Sequence, residues 1–416
     1  MDRHNNSLNL IRLILAALVI FSHTYPVGYG LPDPRFGGQS PGHWAVIGFF
    51  VLSGYLVTGS RLTRSLGQYL IHRIARIYPG YLACLLVIVC VAAPIAYWLQ
   101  HQTLDGYLSA EVTPTRFLWN NLALHIGSFG VAGTPAGVPY PDVWDGSLWT
   151  LWYEFLCYLV VGLLFCLPVM KRRAAVLVPA VFGMSVVLCA WNDLAGLGLA
   201  PGPAVSPTAA ELLAFFLGGA TMRAWSKWER LSAPGAALAA VIAILAVALV
   251  PIASPEFIAP ALCYLLLWLG SVVPSPALIK REDISYGMYI YGFIIQQGLV
   301  LAGGSRLPLP AFAALAAALT VVPATASWLV VEKRAMRWAR CETISMRFAA
   351  SPLRRFAASP LRRFAASPLR RFAASPLRGG LRARGADSAN GFARRRMRNP
   401  RGGAADGADS GGQDLR

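Results

Sequence analysis

Residues 8–26 read LNLIRLILAALVIFSHTYP, an apolar run whose only basic side chains are Arg12 and His23 and which holds no acidic residue. About 20 predominantly apolar residues are enough to cross a lipid bilayer as an α-helix. The run begins near the start of the chain, and no small-residue cleavage site follows it. It therefore predicts a retained membrane-spanning helix rather than a secretory signal peptide.

The composition of the whole chain extends this prediction. Of its 416 residues, 56% are hydrophobic and 13% are charged, and the mean hydropathy is +0.51. Soluble domains hold about 45–50% apolar and about 25% charged residues, so a soluble enzyme, a disordered chain and a small disulfide scaffold are excluded. Nine more apolar runs follow, at residues 44–60, 79–99, 148–169, 174–191, 207–225, 234–252, 257–273, 285–303 and 308–331.

These runs are continuously apolar, whereas the strands of a membrane β-barrel alternate between apolar and polar residues. We therefore expect an all-α fold, a polytopic integral membrane helical bundle of about ten transmembrane helices. With the N-terminus inside, the cytoplasmic loops carry twelve Lys and Arg residues, and the opposite loops carry three, Arg35, Arg116 and Arg306. This asymmetry predicts a multi-pass protein of the inner (cytoplasmic) membrane with both termini in the cytoplasm.

The formal net charge of +18 is concentrated near the C-terminus. Residues 1–331 hold 17 basic and 13 acidic side chains, a net charge of +4, whereas residues 332–416 hold 20 and 6, a net charge of +14. Residues 347–378 are four copies of RFAASPLR, and the proline in each copy opposes a long helix. We expect a transmembrane domain over residues 1–340 and a disordered basic tail over residues 341–416.

Two interpretations of the tail stay open. It is either a tandem duplication of little function or a polybasic segment that binds anionic membrane lipid at the cytoplasmic leaflet. Nucleic acid is not an expected partner, because the body of the chain is nearly neutral and no aromatic-rich recognition module accompanies the basic residues.

Ionisable residues within the predicted spans are few, and each is costly to place in a bilayer, which makes it a functional candidate. Arg12 and His23 are eleven residues apart, about three helical turns, so both project from one face, roughly 16 Å apart along the axis. Glu154 lies in the fourth predicted span, with Thr150 and Tyr158 four residues to either side, and the three form a polar stripe.

The predicted orientation puts His23 and Glu154 at comparable depths, in the half of the membrane away from the cytoplasm. A carboxylate beside a histidine orients the imidazole and raises its basicity, as a general base requires. The structural alternatives are a snorkelling Arg12, an interfacial His23 and a Glu154 that only packs helices. Glu211 has no comparable context and is interpreted as an interfacial residue.

A second basic cluster lies in a predicted cytoplasmic loop. Residues 68–79 read QYLIHRIARIYP, and Pro79 suits the first turn of the next span. Arg73 and Arg76 are three residues apart, so they are neighbours on a helix. Guanidinium groups bind phosphate through two parallel hydrogen bonds, which predicts an anion site. The alternative is the ordinary positive charge of a cytoplasmic loop. The seven cysteines show no metal-ligand spacing, so no metal site is expected.

Together these segments resemble the acyltransferase-3 family of integral membrane O-acyltransferases. The similarity covers about residues 5–340. It rests on six blocks in the family order: Arg12 and His23 with ten residues between them, GFFVLSGYLV at residues 48–57, RIARIYP from Arg73, GSLWTLWYE ending at Glu154, SYGMYIY at residues 285–291 and VEKR at residues 331–334.

The sequence also departs from the family pattern. Gly292 stands where members often have a histidine, so no catalytic role is assigned to that position, and Thr150 stands where serine is usual. Some members carry an extracytoplasmic hydrolase-like domain after the last span, whereas this sequence has the repeat tail.

The resemblance implies acyl transfer, usually of acetyl, from cytoplasmic acyl-CoA to a hydroxyl group on a cell-envelope glycan or a lipid-linked sugar. Acetyl-CoA is then the expected donor substrate, and no bound cofactor is expected. The acceptor stays open among O-antigen, exopolysaccharide, peptidoglycan and a small lipid-linked glycan. The main alternative is a transporter or flippase for a lipid-linked sugar, although no internal repeat or paired broken helices support it. A membrane scaffold is a third possibility.

The resemblance also implies roles for individual residues. The expected roles are: His23 as general base, Glu154 as the residue that orients it, Arg12, Arg73 and Arg76 as donor-binding residues, and Ser53 as an oxyanion donor. A covalent acyl-histidine intermediate is the mechanistic alternative. For Ser53 the alternative is structural, because a Ser-Gly pair also permits close helix packing.

Overall fold

Apolar helices make up most of the protein in the computed structural model, which describes residues 7–226, 231–249 and 256–343. These ranges contain no β-strand, only two isolated bridges, so the all-α class is confirmed. The helices are α1 (Leu8–His23), α2 (Pro41–Thr63), α3 (Leu66–Val87), α4 (Ala93–His101), α5 (Pro114–Asn121), α6 (Thr150–Leu164), α7 (Pro168–Arg172), α8 (Ala174–Gly196), α9 (Pro207–Trp225), α10 (Ala233–Leu249), α11 (Ala259–Val272), α12 (Ala277–Arg281), α13 (Ser285–Leu301) and α14 (Leu309–Ser327).

Three π-helical segments lengthen this set. Thr24–Gly28 continues α1, Ile88–Ala92 joins α3 to α4, and Trp328–Glu332 continues α14. Five of the resulting helices are long and apolar enough to cross a membrane, Leu8–Gly28, Pro41–Thr63, Leu66–His101, Ala174–Gly196 and Leu309–Thr343. Every predicted span coincides with a helix, and several of these helices are shorter. The membrane class is confirmed, and the count of ten spans stays a prediction.

Two helices extend beyond the segments predicted from the sequence. The third span was expected to begin at Pro79, but its helix begins at Leu66, where the Ser65 side chain caps it by accepting a hydrogen bond from the amide of Gln68. This helix therefore tolerates a proline in its interior. At the other end of the chain, the last helix reaches Thr343, three residues beyond the predicted domain boundary. Residues 344–416 lie outside the described residues, so the tail predictions stay predictions.

Close helix contacts fix α2 at the centre of the bundle. A Cβ atom built on Gly54 of α2 would lie 1.9 Å from the carbonyl oxygen of Phe216 on α9. A Cβ atom built on Gly219 of α9 would lie 2.0 Å from the carbonyl oxygen of Val51 on α2. Both positions therefore require glycine, and the two backbones touch where they cross.

The register of α1 with its neighbours defines two ends of the bundle. Ser22 of α1 packs on Gly42 of α2, and Leu15 packs on Gly48, so these helices are antiparallel. Helix α13 runs parallel to α1, because its first residues lie near Arg12 and Phe293 lies against His23. We call these levels the Arg12 end and the His23 end.

Candidate active site

At the Arg12 end, two arginines share one carboxylate. Nη1 of Arg12 and Nη2 of Arg76 each lie 2.7 Å from Oδ2 of Asp283, which precedes α13. The Ser285 hydroxyl donates to Oδ1 of the same carboxylate at 2.5 Å. Glu332, fully buried, lies 3.9 Å from Nη1 of Arg76. The structure therefore brings Arg12 and Arg76 together through an aspartate that the sequence analysis did not single out, and their donor-binding role stays a prediction.

The two neighbouring arginines determine the protonation state of Asp283. Burial alone would raise the pKa of Asp283, but the guanidinium groups of Arg12 and Arg76 outweigh it and hold that pKa well below its usual range. Asp283 is therefore ionised at neutral pH, and it compensates part of the positive charge of both arginines.

Arg73 has a different environment from Arg76. Its guanidinium lies 5.5 Å from the ring centre of Tyr158, a cation–π distance. Its Nε is buried without a hydrogen-bond partner, and no carboxylate within the described residues pairs with it. Of the three arginines predicted to bind an anion, Arg73 is the one whose charge the described residues leave without an ion pair.

Glu154 makes its contacts within the bundle. Its Oε1 accepts a hydrogen bond from the Ser53 hydroxyl at 2.9 Å and from the Tyr158 hydroxyl at 2.5 Å. The structure therefore joins Glu154 to the Arg73 site through Tyr158. Because the proton of Ser53 is committed to this carboxylate, the oxyanion role predicted for Ser53 does not fit the arrangement.

The predicted pair between Glu154 and His23 is not formed. The antiparallel register that sets Ser22 on Gly42 and Leu15 on Gly48 brings Ser53 close to the level of Arg12. Glu154 lies with Ser53, so it is displaced from His23 toward the Arg12 end. The sequence analysis placed His23 and Glu154 at the same depth by counting residues from the ends of their own spans. The two helices do not begin at the same level, so this counting does not give their relative depth.

His23 lies half-buried at the last turn of α1. Its ring packs edge-on against Phe293 with 5.2 Å between the ring centres, and Phe293 packs in the same way against Tyr140. Within the described residues, His23 makes no side-chain hydrogen bond, so aromatic packing against Phe293 positions its imidazole ring.

A buried glutamine fixes the turn that follows His23. Nε2 of Gln296 donates to the carbonyl of Ile20 at 2.7 Å and to the Thr24 hydroxyl at 3.0 Å. Thr24 begins the π-helical segment, and such segments occur often at functional sites. On the same helix, Gly292 packs on Ile20, where a Cβ atom would lie 2.7 Å from Cγ1. At the position where family members often have a histidine, the backbone of α13 therefore packs directly on Ile20, and a larger side chain would collide with it.

A small cavity lies between the two ends. Its volume is about 40 Å³, and Arg12, Phe49, Thr150 and Tyr289 are among the residues that line it. The hydroxyls of Thr150 and Tyr289 are 2.6 Å apart, so the cavity wall carries a polar pair in the middle of the bundle. In the described ranges, no group of three or more His, Cys, Asp or Glu residues has the geometry to hold a metal ion.

One histidine–carboxylate pair does occur, between residues that the sequence analysis did not join. Nε2 of His43 lies 2.7 Å from Oε1 of Glu211. His43 stands near the start of α2 and Glu211 near the start of α9, and each helix follows a Ser-Pro sequence. Glu211 is therefore a paired residue, which the sequence analysis did not predict, and its interfacial position stays a prediction. The two residues are 168 positions apart in the sequence, and no periodic spacing reveals such a pair.

Comparison with known proteins shows the family of this chain. A family model described as an acyltransferase domain, that of acyltransferase family 3, matches residues 5–329. The chain belongs to the acyltransferase 3 family. The match includes every predicted site residue of this acyltransferase, from Arg12 through Glu154. The family predicted from the six sequence blocks is confirmed.

Two relatives resemble this acyltransferase 3 protein over most of their length. It is 26% identical over 337 residues to the O-acetyl transferase of Shigella phage Sf6, an alignment that covers 79% of this chain and 96% of the relative. It is 28% identical over 333 residues to Nodulation protein 10 of Rhizobium leguminosarum bv. viciae, covering 72% and 85% respectively. No solved structure matches the chain. The protein is thus an enzyme, a membrane O-acyltransferase.

Proposed function

We propose that this acyltransferase 3 protein transfers an acetyl group from cytoplasmic acetyl-CoA to a hydroxyl of a cell-envelope glycan. The choice of acetyl is supported by the likeness to a phage protein named O-acetyl transferase. One observation carries the proposal. Arg73, whose charge has no carboxylate partner in the described chain, and His23, whose ring makes no hydrogen bond within the described residues, lie at opposite ends of one apolar bundle.

The proposal places the Arg12 end toward the cytoplasm. The loops joined to that end hold most of the Lys and Arg residues of the body, as cytoplasmic loops do. The enzyme then lies in the inner membrane with both termini in the cytoplasm. Membrane lipid surrounds the enzyme. A neutral or lipid-linked glycan approaches from the side of the membrane away from the cytoplasm.

The donor is bound first through its phosphates. Arg73 contacts a CoA phosphate directly, because its guanidinium is not neutralised by a carboxylate among the described residues. Arg12 and Arg76, held by Asp283, form the wall along which the pantetheine arm enters. Tyr158 and Glu154 support Arg73 from behind, so Glu154 is a positioning residue of the donor site.

The acceptor reacts at the His23 end. His23 removes the proton from the acceptor hydroxyl as its oxygen attacks the thioester carbonyl carbon. The carbon–sulfur bond then breaks, CoA leaves as the thiolate and takes up the proton, and the acceptor keeps the acetyl group as an ester. In the alternative mechanism, His23 first takes the acetyl group from CoA as a covalent intermediate and then passes it to the acceptor hydroxyl.

The test is acetyl transfer by purified protein. Protein in lipid nanodiscs is incubated with radiolabelled acetyl-CoA and with glycans released from the envelope of cells that carry it naturally. Wild type is expected to label the glycan, and His23→Ala is expected to reduce the rate by about 10²–10⁴-fold. Full activity in a folded His23→Ala protein contradicts the base role, and glycan transport without label transfer favours a flippase.

A further inference from the structure

The pair formed by His43 and Glu211 has the chemistry of a ligand site. The carboxylate accepts from Nε2 of His43 at 2.7 Å, which fixes the tautomer and leaves the lone pair of Nδ1 unused by any described residue. The backbone amide of His43 donates to the Ser40 hydroxyl at 3.1 Å, so its turn is capped. The side chains remain 21% and 16% exposed, so a ligand can reach them.

This pair lies at the His23 end of the bundle. A Cβ atom built on Gly42 would lie 2.9 Å from both Cβ and Oγ of Ser22. His43 follows Gly42 and His23 follows Ser22, so the Cα atoms of the two histidines lie within about 14 Å. A single sugar residue with its neighbour spans such a distance, so one glycan can contact both histidines.

The charges around the pair favour a neutral ligand. Ser22 donates to Oδ2 of Asp33 at 3.1 Å, while Oδ1 of Asp33 is buried without a partner among the described residues. Asp33, which interacts with Arg35, and Glu211, which pairs with His43, place two carboxylates at the His23 end. Carboxylate oxygens accept hydrogen bonds from the hydroxyl groups of a neutral sugar, whereas the arginines of the donor end bind anions.

We infer that His43, held by Glu211, binds a hydroxyl group of a neutral glycan acceptor next to the hydroxyl that His23 deprotonates. Nδ1 of His43 accepts the hydrogen bond, and Glu211 keeps the ring in the tautomer that can do so. The pair determines acceptor specificity and takes no part in the bond changes. This inference rests on the proposed acetyl transfer.

A purely structural role predicts a different result. Helices α2 and α9 already touch at Gly54 and Gly219, so the pair is not needed to bring them together. If His43 and Glu211 served only to join the helices, their loss would lower the melting temperature and affect the kinetics of donor and acceptor alike. If they bind the acceptor, only the acceptor kinetics change.

The experiment measures the KM for each substrate in nanodisc-bound His43→Gln and in Glu211→Ala, which removes the hydrogen-bond acceptor of the His43 ring. The acceptors are the neutral and the acidic fractions of released envelope glycans, and the donor is acetyl-CoA. We expect the KM for the neutral fraction to rise about tenfold in both variants, the cost of one hydrogen bond of ordinary strength. The KM for acetyl-CoA and its slow hydrolysis without acceptor should not change. His101→Gln is the matched control, because the His101 ring stacks on Tyr97 and has no carboxylate partner among the described residues.

Three results overturn the inference: an unchanged acceptor KM in both variants, equal increases for donor and acceptor, or a wild-type preference for the acidic fraction. If wild type transfers no acetyl group to either fraction, the proposed function fails instead. In that case the thermal shift that each glycan fraction produces in wild type and in His43→Gln still tests the pair. A neutral-glycan shift that His43→Gln abolishes supports it, and an equal shift in both proteins contradicts it.

Discussion

Arg12 on α1 and Arg76 on α3 donate to the same oxygen atom, Oδ2 of Asp283, at 2.7 Å each. The shared carboxylate joins two helices to the start of a third, and it sets the distance between two cations that would otherwise repel each other. Removing one partner of a buried ion pair is far more costly than losing an exposed pair, because a charge is left unpaired.

Asp283→Asn is therefore expected to destabilise the bundle by about 3 kcal/mol. The measurement is the melting temperature in nanodiscs. Glu282→Gln serves as the matched control, because Glu282 pairs with Lys333 in a more exposed position, where such pairs contribute at most about 1 kcal/mol. Equal melting temperatures for Asp283→Asn and the control would show that the two arginines do not depend on this carboxylate.

Arg73→Ala should raise the KM for acetyl-CoA by about 10–100-fold, the cost of a lost charge-assisted hydrogen bond to phosphate. The acceptor KM should stay the same, since the acceptor binds at the other end of the bundle. Arg337→Ala is the control, because that side chain is exposed on the last helix. An unchanged donor KM in Arg73→Ala would remove this residue from the phosphate site.

Glu154→Gln tests the position of the carboxylate in the bundle. An amide oxygen can still accept from Ser53 and Tyr158, so the protein should fold and retain much of its activity. Because Glu154 does not contact His23, the pH at which kcat/KM for the acceptor falls to half should not move. The check is a rate profile from pH 5 to 9, and a displacement of that midpoint by a full pH unit would restore the predicted pair.

Gln296→Met should lower kcat while leaving both KM values near those of wild type. The methionine fills a similar volume but cannot donate to Ile20 or Thr24, so the turn beside His23 loses its anchor. We expect a loss of about tenfold, as for one hydrogen bond that holds a reacting group in place. Gln100→Met is the control, because Gln100 makes a longer, part-buried hydrogen bond of 3.4 Å to the carbonyl of Ala136.

The helices themselves were predictable from the sequence, because an apolar run forms a helix by local hydrogen bonding whatever its neighbours are. The eleven-residue spacing of Arg12 and His23 likewise placed them near the two ends of one helix, since it depends only on helical geometry. Predictions of this kind succeeded within single elements.

Contacts between elements were beyond that reasoning. Asp283 is 271 residues from Arg12, and no periodicity relates them. The pairing of Glu154 with Ser53 depends on the register of α2 against α1, which Gly42 and Gly48 set through their missing side chains. The depth of a residue counted from the end of its own span carries no information about that register, so the sequence analysis paired Glu154 with His23 instead of with Ser53.

The cavity beside Arg12 has one further consequence. Its volume of about 40 Å³ is far below the roughly 300–1,000 Å³ of a typical small-molecule pocket. The pantetheine arm of acetyl-CoA therefore has no room there, and in the proposed reaction the helices around Arg12 must separate before the donor can enter. On this proposal, the structure shows the enzyme before it has opened to its donor.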